Sequence, residues 1–240
     1  MTLRAYVGND VVDLEDPRTA GRHEDPRFLG RVLAMAERAE LEASDDPFRE
    51  LWAFWAAKEA AYKVASKLRG SPPVFAHATF VVTWTERTPG RWRGHVSWED
   101  VRVPVEVHRH GTALHGVATS GTAGAGALAG VEPLGAAGAE WGERLDHLLG
   151  RFTAREADAI HSVASAAVRV RARQALALAL GVDEAALEIV CDPGVTGRRP
   201  PRVLLGGDPA PADVSLSHHG GWIAWAVLLP QRPAQKPRGR

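Results

Sequence analysis

Apolar positions recur at helical spacing in LWAFWAAKEAAYKVASKL, from Leu51 to Leu68, a run with neither Gly nor Pro. Asp46 is placed to cap its start, Pro47 suits the first helical position and Gly70 follows its end. The pattern predicts a helix of about five turns. At 3.6 residues per turn, Phe48, Trp52, Trp55, Glu59, Tyr62 and Ser66 share one face, with Lys63 at its border, and that face is expected against the core. Glu59 then needs a cation or a proton, because burying an unpaired charge is costly. A Glu59–Lys63 pair at i,i+4 is the plain structural answer. The functional answer, an acid kept among aromatics to meet a cation of the site, ranks ahead of it. The helix has another face available, and the acid does not use it.

The rest of the chain alternates between two textures. Tyr6 to Leu14 is Val-rich and reads as a strand, with Gly8 a permissive point just before Asp10. Asp10 and Asp13 interrupt its apolar positions, and carboxylates at a strand end either form turns or present oxygens to a hard cation. Phe28 to Leu41 shows helical spacing through Phe28, Val32, Met35 and Ala39. From Ala78 onward ATFVVTWTE, RWRGHVSWE, VRVPVEVH and TALHGVATS read as short strands separated by turn signals such as TPGR. Ser120 to Ala139 is Gly/Ala-rich and reads as a linker, part of which could pack. Beyond it the order repeats. Thr153 and Glu156 form a capping box opening a helical region through Ala179, Gly181 stops it, and ALEIVC, PRVLLG, ADVSLS and WIAWAVLL supply strands. The expected fold is α+β, two similar α+β lobes over residues 1–119 and 141–230 joined by a linker at 120–140. Residues 231–240, basic and Pro-rich, read as a disordered tail.

Composition narrows the function classes. The 240 residues suit two halves of about 120 each. Lys plus Arg equals Asp plus Glu at 29 each, so no global field favours nucleic acid. The single cysteine, Cys191, excludes an internal disulfide framework and fits a reducing compartment. With no signal-like or membrane-spanning run, a soluble cytoplasmic protein is expected. His108, His110 and His115 lack the spacing of a helical zinc motif. In the second half, Gly197, Arg198, Arg199 and Arg202 make a basic turn beside prolines, either a phosphate site or a solvated loop. Ser217, His218 and His219 follow a strand directly, where His is a turn residue or a phosphate ligand.

Taken together, GNDVVDL (Gly8 to Leu14), WAAKEAAYK (Trp55 to Lys63) and VSLSHHGGWIAWAV (Val214 to Val227) resemble the phosphopantetheinyl transferases. The resemblance implies magnesium-dependent transfer of the phosphopantetheine arm of coenzyme A to a serine of an apo acyl or peptidyl carrier protein, with adenosine 3′,5′-bisphosphate released. It implies metal ligation by Asp10 and Glu59, with Asp13 as a further candidate acid. Lys63 would contact phosphate and take part in catalysis with Glu59, the candidate proton acceptor. His218, with Ser217 beside it, would contact phosphate near the nucleotide, and Arg198 and Arg199 match a basic loop more loosely. Asp13 stands three residues after Asp10, and Val12 two, a spacing similar to the short holo-acyl-carrier-protein synthases. The length is that of the two-lobed class, which implies a fused pseudo-dimer working as a monomer, with the site in the cleft between lobes. The region near His115 would be a degenerate counterpart of the SLSHH block. The rival readings are a non-catalytic coenzyme A or carrier-protein binding relative, and a nucleic-acid binder using the arginines near Arg199. Intact acids weigh against the first, and neutral charge without a recognisable module against the second.

Overall fold

The computed structural model describes residues 5–74, 76–120, 127–135, 145–194 and 197–229, in a mixed α+β arrangement. The first half consists of β1 (Val7–Asp13), three helices α1 (Pro26–Val32), α2 (Met35–Glu42) and α3 (Pro47–Arg69), then β2 (Val81–Thr88), β3 (Arg91–Trp98), β4 (Val101–His110) and β5 (Ala113–Thr119). Its five strands form one antiparallel sheet in the order β1-β5-β4-β3-β2. The helix α3 begins and ends as its sequence requires. The Asp46 carboxylate accepts from the Arg49 amide, Pro47 is the first residue, and Gly70 closes the end at φ 72°. Where Phe28 to Leu41 suggested one helix, the chain breaks into α1 and α2, because Leu33 and Ala34 are extended.

α3 lies flat on the sheet, and small residues let it approach. A Cβ at Gly8 would stand 2.0 Å from the Ala60 carbonyl oxygen, and one at Gly116 2.7 Å from that of Ala56. The deepest face of the helix is therefore Ala53, Ala56, Ala57, Ala60 and Val64. The stripe expected against the core is turned partly away from it. Trp52 and Ser66 are buried, but Phe48, Trp55, Glu59 and Tyr62 are only half-buried. The charge that α3 does bury is Lys58. Its ammonium donates to Glu37 Oε2 at 2.6 Å, to Phe80 O at 2.7 Å and to His77 O at 3.1 Å. Glu37 in turn accepts from the amides of Ala34 and Val82, so the pair is fully hydrogen-bonded.

The second half contributes β6 (Ala127–Pro133), α4 (Leu145–Leu149), α5 (Ala154–Ala157), α6 (Val163–Leu180) and β7 (Leu187–Val190). It continues with β8 (Pro193–Gly194), β9 (Gly197–Arg198), β10 (Arg202–Leu205), β11 (Asp208–Pro209), β12 (Asp213–His219) and β13 (Trp222–Leu228). β12, β13 and β6 form a three-stranded sheet in that order. The stretch read as a linker thus supplies strand β6. Its residues 121–126 and 136–140, like the tail at 231–240, lie outside the described residues. The Thr153–Glu156 capping box forms but opens a single turn, and Glu156 also accepts from the Ile189 amide. The long helix α6 starts later, with Ser162 as its cap. Among the described residues no helix is long and apolar enough to cross a membrane.

The halves meet along an unusual seam. β1 is an edge strand, and its outward amides do not pair with the backbone of β12. Instead the amides of Val7, Asn9, Val11 and Asp13 donate to Asp213 Oδ2 (2.7 Å), Ser215 Oγ (2.9 Å), Ser217 Oγ (3.1 Å) and His219 Nδ1 (3.0 Å). Alternate residues of β1 thus face alternate side chains of β12, one strand period against another. Lys67 of α3 fastens one end, donating to Val7 O, Asp213 Oδ2 and Val214 O at 2.6–2.8 Å.

The buried pair yields a stability prediction. Lys58→Met leaves the Glu37 carboxylate without its cation, and urea denaturation should show a loss of about 3–5 kcal/mol. A loss under about 1 kcal/mol would mean that Glu37 is neutral or finds water.

Candidate functional site

Beside the seam, a cavity of about 350 Å³ is lined by Asp10 from β1, Trp52, Trp55 and Glu59 from α3, and His218 and His219 from β12, with Arg18, Arg22 and Phe28 at its edge. Asp10 reaches it because Gly8 lets β1 lie close under α3. Its Oδ1 accepts from Lys63 Nζ at 3.0 Å and from the Ser217 hydroxyl at 2.8 Å. Its Oδ2 accepts no hydrogen bond from a described residue. Lys63 also donates to Asn9 O at 2.6 Å. Burial raises the Asp10 carboxyl above the ordinary carboxylate range, with Lys63 pulling against it and the nearby Glu59 charge adding to it.

Glu59 does not pair with Lys63. It meets His77, Oε1 to Nε2 at 3.2 Å, and that imidazole stacks on Trp55 with centroids 4.3 Å apart. His77 stands in the turn whose carbonyl accepts from Lys58, so the buried ammonium also steadies the partner of Glu59. His218 lines the same cavity and is partly open to solvent. Partial burial lowers its imidazole below the usual value, and the neighbouring charges of Lys63 and Arg169 add to this. Ser217, beside it, is buried and turned to β1 and Asp10.

Three expected residues stand elsewhere. Both Asp13 oxygens are engaged by backbone, Oδ1 by the Glu15 amide at 3.0 Å and Oδ2 by the Gly221 amide at 2.8 Å. It closes the β12–β13 turn, where a Cβ at Gly220 (φ 54°) would stand 2.3 Å from Oδ2. Arg198 donates to Asp158 Oδ2 at 3.0 Å, to Asp158 O and to Cys191 O. Arg199 shares that exposed turn, and neither arginine lines the cavity. One cation escaped the sequence reading altogether. Arg169 of α6 is buried, donates to Ser165 O and Oγ, and meets no carboxylate among the described residues. Nothing in its helical surroundings marks it before the fold brings it near His218.

The donor set suits a hard divalent cation. Two carboxylates line one cavity, each with an oxygen that accepts no hydrogen bond from a described residue, and a bound cation would offset their mutual repulsion. Among the described residues no three His, Cys, Asp or Glu side chains converge into an all-protein cage.

A second cavity, of about 560 Å³, lies between β4, β5 and β6, with Glu106, His108, His110 and His115 on its wall. His115 is buried, and its Nε2 lies 3.2 Å from Asn9 Nδ2. Burial, and then the neighbouring His110 and His108, push the His115 imidazole down to about 3.

Residues 6–110 match the family model of the 4′-phosphopantetheinyl transferase superfamily. No curated protein matches the chain. Among solved structures, the Chronobacterium ammoniagenes ACPS-CoA complex is 22% identical, covering 48% of this chain and 95% of its own, with a TM-score of 0.38. The holo-[acyl-carrier-protein] synthase of Neisseria meningitidis is 16% identical over the same shares, 48% and 95%, with a TM-score of 0.36. The chain is thus about twice as long as the segment each of these aligns with.

His115 makes stability depend on pH. Unfolded, it titrates near 6.5, and folded near 3, so the unfolded chain binds the extra proton between these values. Its contribution is present above about pH 6.5 and is lost as the pH falls towards about 3, at up to about 1.4 kcal/mol per pH unit. The drop in urea midpoint from pH 7 to pH 5 should shrink in His115→Gln. An equal drop in both proteins would assign the acid sensitivity to other groups.

Proposed function

We propose, from the match of residues 6–110 to the model of the 4′-phosphopantetheinyl transferase superfamily, that the protein transfers the phosphopantetheine arm of coenzyme A to a serine of an apo acyl or peptidyl carrier protein. The observation that carries this reading is the single cavity shared by Asp10, Glu59 and His218, two metal-type acids from one half of the chain and an imidazole from the other. In the reaction the carrier serine oxygen bonds to the β-phosphorus of coenzyme A. The bond from that phosphorus to the bridging oxygen breaks, and adenosine 3′,5′-bisphosphate leaves with that oxygen. Such a transfer asks the protein for positioning and charge neutralisation.

Asp10 and Glu59 are the residues that would hold magnesium, which when bound neutralises the pyrophosphate and orients it. Lys63 donates to Asn9 O and Asp10 Oδ1, which leaves its ammonium a third N–H that a phosphate oxygen could accept. Glu59 is the candidate acceptor of the serine proton, directly or through water. His218 supplies a donor for phosphate, with Arg22 as a cation lining the same cavity and Arg169 close enough to act on the His218 charge. Trp52 and Trp55 offer apolar walls. Arg198 and Arg199 remain candidates for the 3′-phosphate, and Arg198 would exchange its Asp158 contact for that group. Asp13 serves the turn in this reading, and its metal role is secondary.

The two-lobed reading draws support from matched strand registers. β1 pairs with β5 from Val7↔Thr119 to Asp13↔Ala113, and β6 pairs with β13 from Ala127↔Leu228 to Pro133↔Trp222. Both are antiparallel edge strands, and the same offset sets Gly130 where β1 has Asp10. A Cβ at Gly130 would stand 2.2 Å from the Trp225 ring, so the counterpart site lacks both the acid and the room for one. One chain with one site acts as a monomer. The non-catalytic alternative, a coenzyme A or carrier-protein binder, keeps the same cavity but transfers nothing.

The test is intact-mass measurement of apo carrier proteins incubated with the protein, coenzyme A and magnesium. The carrier should gain one phosphopantetheine. Glu59→Gln and Asp10→Asn should lower the rate about a hundredfold or more, with unfolding temperature little changed. No modification across acyl and peptidyl carriers would leave the binding alternative standing.

A further inference from the structure

Ser217 is read most simply as a neighbour of His218 at the phosphate. Its geometry differs from that role. The residue is 8% exposed, and its hydroxyl makes two hydrogen bonds, accepting from the Val11 amide at 3.1 Å and donating to Asp10 Oδ1 at 2.8 Å. A serine hydroxyl has a single proton to give, and Asp10 takes it. We propose that Ser217 is a positioning residue for Asp10, holding Oδ1 so that Oδ2 stays open to the cavity.

Three facts carry the inference. Lys63 and Ser217 converge on the same Asp10 oxygen from α3 and from β12, which fixes the carboxylate plane between two elements from different halves. The hydroxyl is in turn held by the Val11 amide, so it cannot rotate away without leaving a buried N–H unpaired. The next residue along the strand, His218, lines the same cavity as Asp10, so one strand sets both groups relative to each other. Outer partners of a ligating carboxylate act through that ligand, and their loss commonly weakens metal binding about tenfold or more.

This inference rests on the metal reading of Asp10, and the experiment separates the two. Ser215 provides the control, because it makes the same kind of bond to β1, at the Asn9 amide, and does not touch Asp10. Mn²⁺ binding, followed by the electron paramagnetic resonance of the free ion, is compared for the wild type, Asp10→Asn, Ser215→Ala and Ser217→Ala, with urea midpoints for each. Both serine variants should lose similar stability. Only Ser217→Ala, with Asp10→Asn, should weaken Mn²⁺ binding, by about tenfold or more. If Asp10→Asn loses metal while Ser217→Ala binds like the wild type, or if Ser215→Ala weakens binding as much, the positioning role is overturned and the metal reading survives. If Asp10→Asn binds as the wild type does, both fall.

Discussion

An edge strand with buried amides has to find acceptors, and in this protein β1 finds them in side chains. Four of its N–H groups donate to Asp213, Ser215, Ser217 and His219, every second residue of β12. Leaving one such group unpaired costs about 1–3 kcal/mol, so the row strongly specifies how the halves face each other. A one-residue slip would turn the polar row away and bring Val214, Leu216 and His218 to the amides. The row also places the site. Asp10 lies between two of the four donors on β1, and His218 between two of the four acceptors on β12.

Charges near α3 divide into two kinds by how completely they are satisfied. Lys58 and Glu37 are almost wholly enclosed, and every polar atom of the pair has partners, which makes them structural. Asp10 and Glu59 are one step nearer the surface and keep unused acceptors on a cavity. Burial pushes Asp10 up while Lys63 pulls it down, so its charge is only partly compensated by described residues. Adjacent residues of one helix, Lys58 and Glu59, thus sit on either side of that division.

Local features of the fold were readable from the sequence. The caps of α3 and the β texture after Ala78 follow from propensity and turn chemistry, and both appear as expected. The aromatic stripe of α3 was read correctly in part, with Trp52 and Ser66 buried and Phe48, Trp55 and Tyr62 packed partly buried against the core, but the alanines facing the glycine-bearing strands lie deeper. The linker reading missed β6, whose partner β13 lies far along the chain. Motif resemblance singled out Asp10, Glu59 and His218, and the fold brings these three to one cavity. The engagement of Asp13 with a turn, of Arg198 with Asp158 and of Ser217 with Asp10 depends on contacts between distant segments, which a linear pattern does not encode. His77 and Arg169 carry no motif, and only the fold sets them beside Glu59 and His218.

The central claim is that acids from the first half and the imidazole from the second complete one site within a single chain. A mixing experiment tests it most directly. Asp10→Asn and His218→Ala proteins, each inactive or nearly so in carrier modification, are combined in equal amounts. Sites built within one chain remain broken, so the mixture should show no more than the summed residual rates. Recovery of a substantial fraction of wild-type activity would mean that chains share sites across an interface, and would contradict the account.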